Sequence, residues 1–327
     1  LYGKMYNAIA NVNNILDHIH ADNGVLLTPG MYEIIRGECL ALRAFLHFDL
    51  MRLFGPVPAD LEAGGARLPY VRVVSKEIKL PVSYDEYKDF LLKDLRDAAA
   101  LLKEYDPIVV EGSVTDEFLV RRTCRMNYYA VKALQARAFL WYGEKENAYA
   151  AAMEVIEAKN SDGSKKFDIE AIKTAFPGQD FIIYPEQIFG LYDHQLDDKY
   201  SSFFQTGILY KGTSSQEIMK NLYGKDFREL YLWELQRLVD GDRYTIKKYN
   251  VTLGVKQIPL IRLSELYFIA IESGSAEQAQ KLWDEYRDSR VLDRKDLPTD
   301  PKQLQQEILT EFRKEFYAEG QLFYLYK

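Results

Sequence analysis

The sequence predicts a mainly α fold: helical hairpins stacked into a scaffold that carries an irregular, loop-rich lobe. Three observations predict it. Apolar residues recur every three or four positions over long stretches, the period of a one-sided helix. Short glycine turns join consecutive helical stretches, with small residues where paired helices must approach. Between residues 159 and 260 that period fails, and short β-prone runs alternate with Gly, Ser and Asp clusters.

Taken in order, residues 3 to 20 place Met5, Ile9, Val12, Leu16 and Ile19 on one stripe. Thr28-Pro29 offers an N-cap followed by proline at the first helical position, starting a helix that runs to Phe54. Gly55 suits the left-handed conformation past a helix end, and Pro56 cannot continue a helix. Residues 55 to 82 read as a loop through Pro56, Pro58, Gly64, Gly65, Pro69 and Pro81. Ser83, with Glu86 three positions on, forms a capping box for a helix to Leu102. Residues 104 to 123 are polar and irregular. Asn127 caps a helix ending at Gly143, and another spans Glu146 to Ala158. Phe181–Tyr184 and Gln187–Tyr192 are β-prone. The last helix runs from Lys302 to Glu319 and stops at Gly320.

Three hairpins follow: 28–54 with 84–102, 127–143 with 146–158, and 262–273 with 276–290. Tyr142-Gly143 before Ala148, and Ser273-Gly274 before Ala276 and Ala279, are tetratricopeptide-like turns, with that repeat's period of about 34 residues only loosely kept. One hairpin cannot bury its stripe alone, so the pairs must stack. The expected organisation is a single domain over 1–327. It comprises a helical scaffold at 1–158, the irregular lobe at 159–260 and a C-terminal helical part at 261–327.

Hydrophobic residues make up 47% of the chain, enough for a large core. A formal net charge of −7 opposes nucleic-acid binding, because a polyanion repels an acidic surface. No apolar run is long enough to span a membrane. Cys39 and Cys124 are far apart and not in metal-ligand spacing; they admit one disulfide or two buried thiols, the second being the expectation.

Catalytic chemistry finds no signature. Asp17, His18, His20 and Asp22 are the densest ligand-type cluster. A helix brings His18 and Asp22 to one face but turns His20 away, and a charged helix end explains the group more simply. No H-E-x-x-H, C-x-x-C, G-x-S-x-G or phosphate-cradling loop is present. The 49 acidic residues make chance carboxylate pairs inevitable, so a glycosidase cannot be inferred from acids alone. The reading is therefore no enzyme, no metal and no cofactor. Aromatic residues are a better lead. Tyr192, Tyr200, Phe203, Phe204, Tyr210, Tyr223, Tyr231 and Trp233 crowd the irregular lobe. Rings exposed on loops can stack on the C–H faces of sugars; the alternative is that they pack the lobe.

One stretch is more specific than the rest: Gly37-Glu-Cys-Leu-Ala-Leu-Arg43-Ala-Phe-Leu-His-Phe48-Asp-Leu-Met-Arg52-Leu-Phe54-Gly55-Pro56-Val-Pro58. It resembles the SusD/RagB family of outer-membrane nutrient-binding lipoproteins, whose pattern runs roughly G-E-A-x-F-L-R-A-x-x-Y-F-x-L-x-R-x-F-G-x-V-P. Further matches follow in the family's order. They are Asp94-Leu95 to Leu102, Ala130 to Tyr142 with Arg137, Glu186 to Phe189, Asp242-Arg243 as a D-x-R turn, Arg262 to Tyr267, and Glu311 to Gly320. The family's E-G-x-R-x-x-D-L ending reads Glu319 to Tyr326 here without its Arg and Asp. Leu1 falls inside the family's early helix, so the resemblance implies a longer protein, truncated here at both ends.

The resemblance implies a SusD-like α/α fold and a non-enzymatic, surface-exposed outer-membrane protein. It would bind an oligosaccharide and deliver it to a SusC-like TonB-dependent transporter, held to the membrane by a lipid anchor outside this chain. The resemblance implies a glycan site of loop aromatics, some of them near the early helix, which by position adds Tyr2, Tyr6 and Asn7 to Tyr192, Tyr200, Tyr210, Tyr223, Tyr231 and Trp233 as ligand-binding candidates. The competing class is a tetratricopeptide-like scaffold that binds a protein or peptide.

Overall fold

The computed structural model describes residues 1–21, 25–58, 68–111, 116–206, 209–210, 221–239, 241–251 and 255–327. The fold is mainly α. The chain forms two compact units, Leu1–Glu154 with Lys327, and Val155–Tyr326.

The first unit contains α1 (Tyr2–His18), α2 (Met31–Phe54), α3 (Tyr84–Tyr105), the short α4 (Pro107–Val110) and α5 (Tyr128–Trp141), and α6 (Lys145–Ile156) begins in it. Ser83 and Glu86 form the reciprocal capping box, and Asn127 accepts from the Ala130 N–H. Thr28-Pro29 does not start α2. Gly30 does, in the left-handed conformation (φ 79), because the Thr28 carbonyl is spent on a tight turn to the Met31 N–H. Gly55 is extended (φ −84) rather than left-handed. Glycine is needed there for room, since a Cβ would fall 2.8 Å from the Met51 carbonyl oxygen.

α2 packs on both α1 and α3. Buried Arg43 ties the three together, donating to Asp94 at 2.7 and 2.8 Å and to Asn13 at 3.0 Å. His47 lies under Tyr70 (centroids 3.9 Å apart) and accepts from the Val71 N–H; burial pulls its imidazole down to about 3, so it stays neutral. α5 and α6 are antiparallel, since Tyr128 and Lys132 in the first turns of α5 both reach Glu154 near the end of α6. Both cysteines are free thiols, Cys39 buried and Cys124 half-buried.

At Gly37 α2 lies tight against α3, where an added Cβ would lie 2.8 Å from Leu102 Cγ. At an open helical site Gly→Ala gains about 1 kcal/mol. Here overpacking reverses the sign, and Gly37→Ala is expected to lose about 1 kcal/mol net in urea unfolding. A stabilised variant would show that the two helices part freely.

The second unit runs through α7 (Ile172–Ala175), β1 (Gln187–Tyr192), α8 (Leu196–Tyr200), α9 (Phe227–Leu232), β2 (Trp233–Leu238), β3 (Gly241–Ile246) and β4 (Gln257–Arg262). It closes with α10 (Leu263–Ser273), α11 (Ala276–Ser289), α12 (Pro301–Glu315) and α13 (Leu322–Tyr326). β1 pairs antiparallel with β4, and β2 with β3 as a hairpin. α10 and α11 form the third hairpin of the sequence reading, with Phe268 packed edge-on to Tyr286 at 4.8 Å.

The heart of this unit is ionic. Arg228, Arg262 and Arg290 are fully buried. Arg228 pairs with Asp226, with Glu311 at 2.6 Å and with Glu315 at 3.0 Å. Arg262 and Arg290 each bridge Glu186 and Glu315, at 2.8 to 3.2 Å. Burial raises the Glu186 carboxyl more than the arginines lower it, whereas Arg290, Arg262 and Arg228 overcome burial at Glu315 and hold it well below the usual range. Of the two carboxylates, Glu186 therefore takes a proton first.

This cluster explains why the last long helix stops at Glu315 rather than Glu319. The Glu315 carbonyl accepts from Arg262 (3.0 Å) and Lys248 (2.5 Å) instead of from the backbone four residues on. Glu319 then turns inward to Arg262, through Ala318 in the left-handed conformation (φ 66).

Candidate functional site

In the β2–β3 hairpin successive side chains point to opposite faces. Trp233↔Ile246 and Leu235↔Tyr244 pair on one face, and Glu234↔Thr245 and Gln236↔Arg243 on the other. The first face is core. Trp233 is 6% exposed, packs edge-on against Tyr317 at 4.7 Å and donates its Nε1–H to the Tyr223 hydroxyl at 3.2 Å. Tyr223 is buried too and donates to the Lys314 carbonyl. Tyr231 is half-buried, stacked on Phe176 at 5.7 Å. Trp233 and Tyr223 are thus corrected from ligand candidates to core residues, because neither ring has a face open to a sugar.

The second face is the candidate site. The segment after α8 crosses it, Ser201–Gln205 forming a π-helical turn, a feature often found at functional sites. The turn exposes Phe203, and the Gln205 carbonyl accepts from the Gln236 amide at 3.4 Å. Tyr210 is 42% exposed, and the Arg243 guanidinium lies 4.4 Å from its ring centroid. Asp242 and Arg243 belong to strand β3 rather than to a turn. Tyr200 is buried and stacked on Phe204 at 6.0 Å, so it presents no face either. Burial, with the Glu234 charge added, raises its hydroxyl to about 12. The Tyr200 hydroxyl and the Thr245 hydroxyl are both buried with no hydrogen-bond partner among the described residues.

Tyr192 is 57% exposed at the end of β1, opposite Gln257. Leu196 and Val255, with Asp180, Tyr249 and Asn250, line a small, shallow cleft with room for little more than water. One wall is the 179–183 loop, where Gln179 (φ 64) and Ile183 (φ 55) adopt the left-handed conformation. For a β-branched residue that costs on the order of 1–3 kcal/mol, so surrounding packing must hold it.

In the first unit, Tyr2 is 42% exposed, its ring 4.8 Å from Tyr6 and 5.3 Å from the half-open Phe54. Tyr6 donates to the Pro69 carbonyl at 3.0 Å, and Asn7 is exposed. The early-helix candidates therefore include one real ring cluster, completed by Phe54, which the sequence reading treated only as a helix end. Arg243 and Gln236, which contact the Tyr210 ring and the 201–205 turn, are not among the residues that the sequence singled out as ligand candidates. The alternation of Trp233-Glu-Leu-Gln236 was the available signal. Asp22 of the acidic-histidine cluster lies outside the described residues, and among those described no three His, Cys, Asp or Glu side chains gather as metal ligands. No described helix is long and apolar enough to cross a membrane.

Comparison with known proteins gives a consistent result. Residues 1–111 match the model of a SusD-like family described as starch-binding and associating with the outer membrane. A SusD superfamily protein from Bacteroides thetaiotaomicron VPI-5482 superposes with a TM-score of 0.74 at 22% identity, covering 99% of this chain and 73% of its own. One from Bacteroides vulgatus ATCC 8482 gives 0.75 at 21%, with 99% and 73% covered. A laminarin-binding SusD-like protein gives 0.69 at 17%, with 99% and 76% covered. No curated protein matches the chain in sequence. The solved structures bear on the fold, and the family model bears on the first third of the sequence. The matched segment holds α1 to α3, and over nearly the whole chain the fold is that of the SusD-like structures.

Proposed function

We propose that this chain binds an oligosaccharide without turnover and delivers it to a SusC-like TonB-dependent transporter at the cell's outer surface. The observation that carries the binding half is Tyr210, an exposed ring held from one side by Arg243 on a rigid hairpin. A ring fixed in this way stacks on a pyranose with little loss of freedom, contributing on the order of 1 kcal/mol per contact. Tyr192 is a further contact candidate in the same unit, and Tyr2 with Tyr6 form a separate candidate in the first unit. A few such contacts give micromolar to millimolar affinity, which suits a receptor that must release its cargo. The family description and the laminarin-binding relative support the same ligand class. Surface location and the transporter partner rest on the family alone, and cross-linking of native cells followed by mild detergent extraction tests them.

Calorimetry against a glycan panel tests binding, with product analysis of the same mixtures for turnover. Tyr210→Ala is expected to weaken the best ligand about five- to tenfold, and Tyr210→Ala with Tyr192→Ala further. The melting temperature should stay near that of the parent, because both rings are open to solvent. A panel in which nothing binds, or one in which a glycan is cleaved, overturns the reading.

A further inference from the structure

We propose that the outer limb of the 68–82 loop, in the first unit, is an edge to which a protein partner adds an extended segment. That segment is apolar where it meets Ile78 and Leu80 and rich in Asp and Glu elsewhere. This goes beyond the oligosaccharide reading and does not rest on it.

The loop has two limbs of opposite character. The inner limb is clamped. Tyr6 donates to the Pro69 carbonyl and the Asn13 amide to the Val71 carbonyl, both at 3.0 Å. Arg43 donates to the Arg72 carbonyl at 3.1 Å, and the Val71 N–H reaches His47 at 3.1 Å. The Val82 N–H closes the loop on the Leu68 carbonyl at 3.2 Å. The outer limb lacks such anchorage. From Lys76 to Pro81 the Glu77 N–H bonds the Ser75 hydroxyl, and no other backbone group has a partner among the described residues. Its side chains also face the wrong way for a segment that meets only water. Ile78 is 90% exposed and Leu80 77%, while Lys79 between them is half-buried. Alternate residues of an extended run share a side, so here the apolar side faces out and the basic residue faces in. A slip of one residue would reverse this, but buried Leu68 and Tyr70 fix the register from the inner limb. Val73 and Val74, both about half exposed, lengthen the apolar surface.

Backbone and charge select the occupant. Bare N–H and C=O groups suit an added strand, whose main chain pairs with them. The same groups oppose a lipid surface, where unpaired backbone is costly. Arg72, Lys76 and Lys79 outnumber Glu77 three to one, a basic segment in a chain of formal charge −7. Asp17 is occupied at the loop's far end, accepting from the Val74 N–H at 3.4 Å. A second copy of this chain would bring like charges together, whereas an acidic segment meets opposite ones.

The test is fluorescence anisotropy with a labelled octapeptide of alternating Val and Glu. Its counterpart with Lys for Glu, and a Val-Glu peptide interrupted by a central proline, are the controls. At low salt the acidic peptide is expected to bind about tenfold more tightly than the basic one, the gap narrowing as salt rises. The proline-interrupted peptide should bind at background, because it cannot pair as a strand. Ile78→Ser with Leu80→Ser should weaken the acidic peptide about tenfold and leave the melting temperature unchanged, since both side chains are open to solvent. Glycan affinity should be untouched in that variant, so failure here and failure of the oligosaccharide reading are told apart. No binding of the acidic peptide, equal binding of both charges, or full binding of the interrupted peptide overturns the inference. So does co-sedimentation of the chain with phosphatidylcholine–phosphatidylglycerol vesicles that the serine variant loses, which would make the patch a lipid contact. A mass that doubles with concentration and stays single in the serine variant would likewise overturn it, in favour of self-pairing.

Discussion

Replacing Arg228 with methionine should lower the unfolding free energy by about 3–5 kcal/mol, the usual cost of removing one partner from a buried ion cluster. The side chain is fully buried and touches Asp226, Glu311, Glu315 and the Tyr286 hydroxyl. Methionine fills much of the volume but takes one cation from each of three buried carboxylates, leaving Glu311 only Lys314 and Asp226 only the more distant Lys314 at 3.8 Å. The pH dependence gives a second readout. Burial pushes the Glu311 carboxyl up, but Arg228 and Lys314 outweigh it and hold it at about 2, below the ordinary 4.5. A depressed acid contributes stability that is fully present above its unfolded pKa and is lost as pH falls through 4.5 toward 2. Without Arg228 that acid-side loss should shrink, because Glu311 returns toward its ordinary range. Urea unfolding between pH 3 and 7 measures both. A penalty under 1 kcal/mol at pH 7, with the acid-side slope unchanged, would show that the cluster is not coupled as its geometry indicates.

Trp233→Ala should cost a further 3–5 kcal/mol in a separate variant, as large-to-small changes in a close-packed core do. The indole is 6% exposed, fills the space between Tyr317 and Phe176's cluster, and satisfies the Tyr223 hydroxyl. The prediction concerns stability, not ligand contact. Folded Trp233→Ala protein, isolated at low temperature, should keep most of its glycan affinity, whereas Tyr210→Ala should keep its stability and lose affinity. Thermal melts and calorimetry on the two variants distinguish them. A Trp233→Ala protein with a parental melting temperature would place the indole outside the core.

Helix identity was legible because its signals are local. Ser83 with Glu86, Asn127 ahead of Ala130, and the repeating stripes of α1, α3 and α11 act within one or two turns, and the three hairpins appear where those signals put them. The starts and stops that moved were decided at a distance. Pro29 had the right chemistry for a helix start, yet the turn through Gly30 took its place. Glu315 ends its helix because Arg262 and Lys248, far back in the chain, claim its carbonyl.

The site divides the same way. Aromatic density in the lobe is a property of composition, and the sequence by itself determined that rings would gather there, along with the helical hairpins and the acidic charge. It could not say which rings face water. In a strand, a shift of one residue moves every side chain to the other face, and the register of β2 on β3 is set by long-range packing of Trp233, Tyr244 and Ile246 over Tyr223. Only the tertiary structure decided that Trp233 and Tyr223 are core and that Tyr210 is open. It also decided that Arg243, met in the sequence as part of a turn motif, stands beside that open ring. Burial is a property of what covers a residue, and what covers these residues comes from distant parts of the chain.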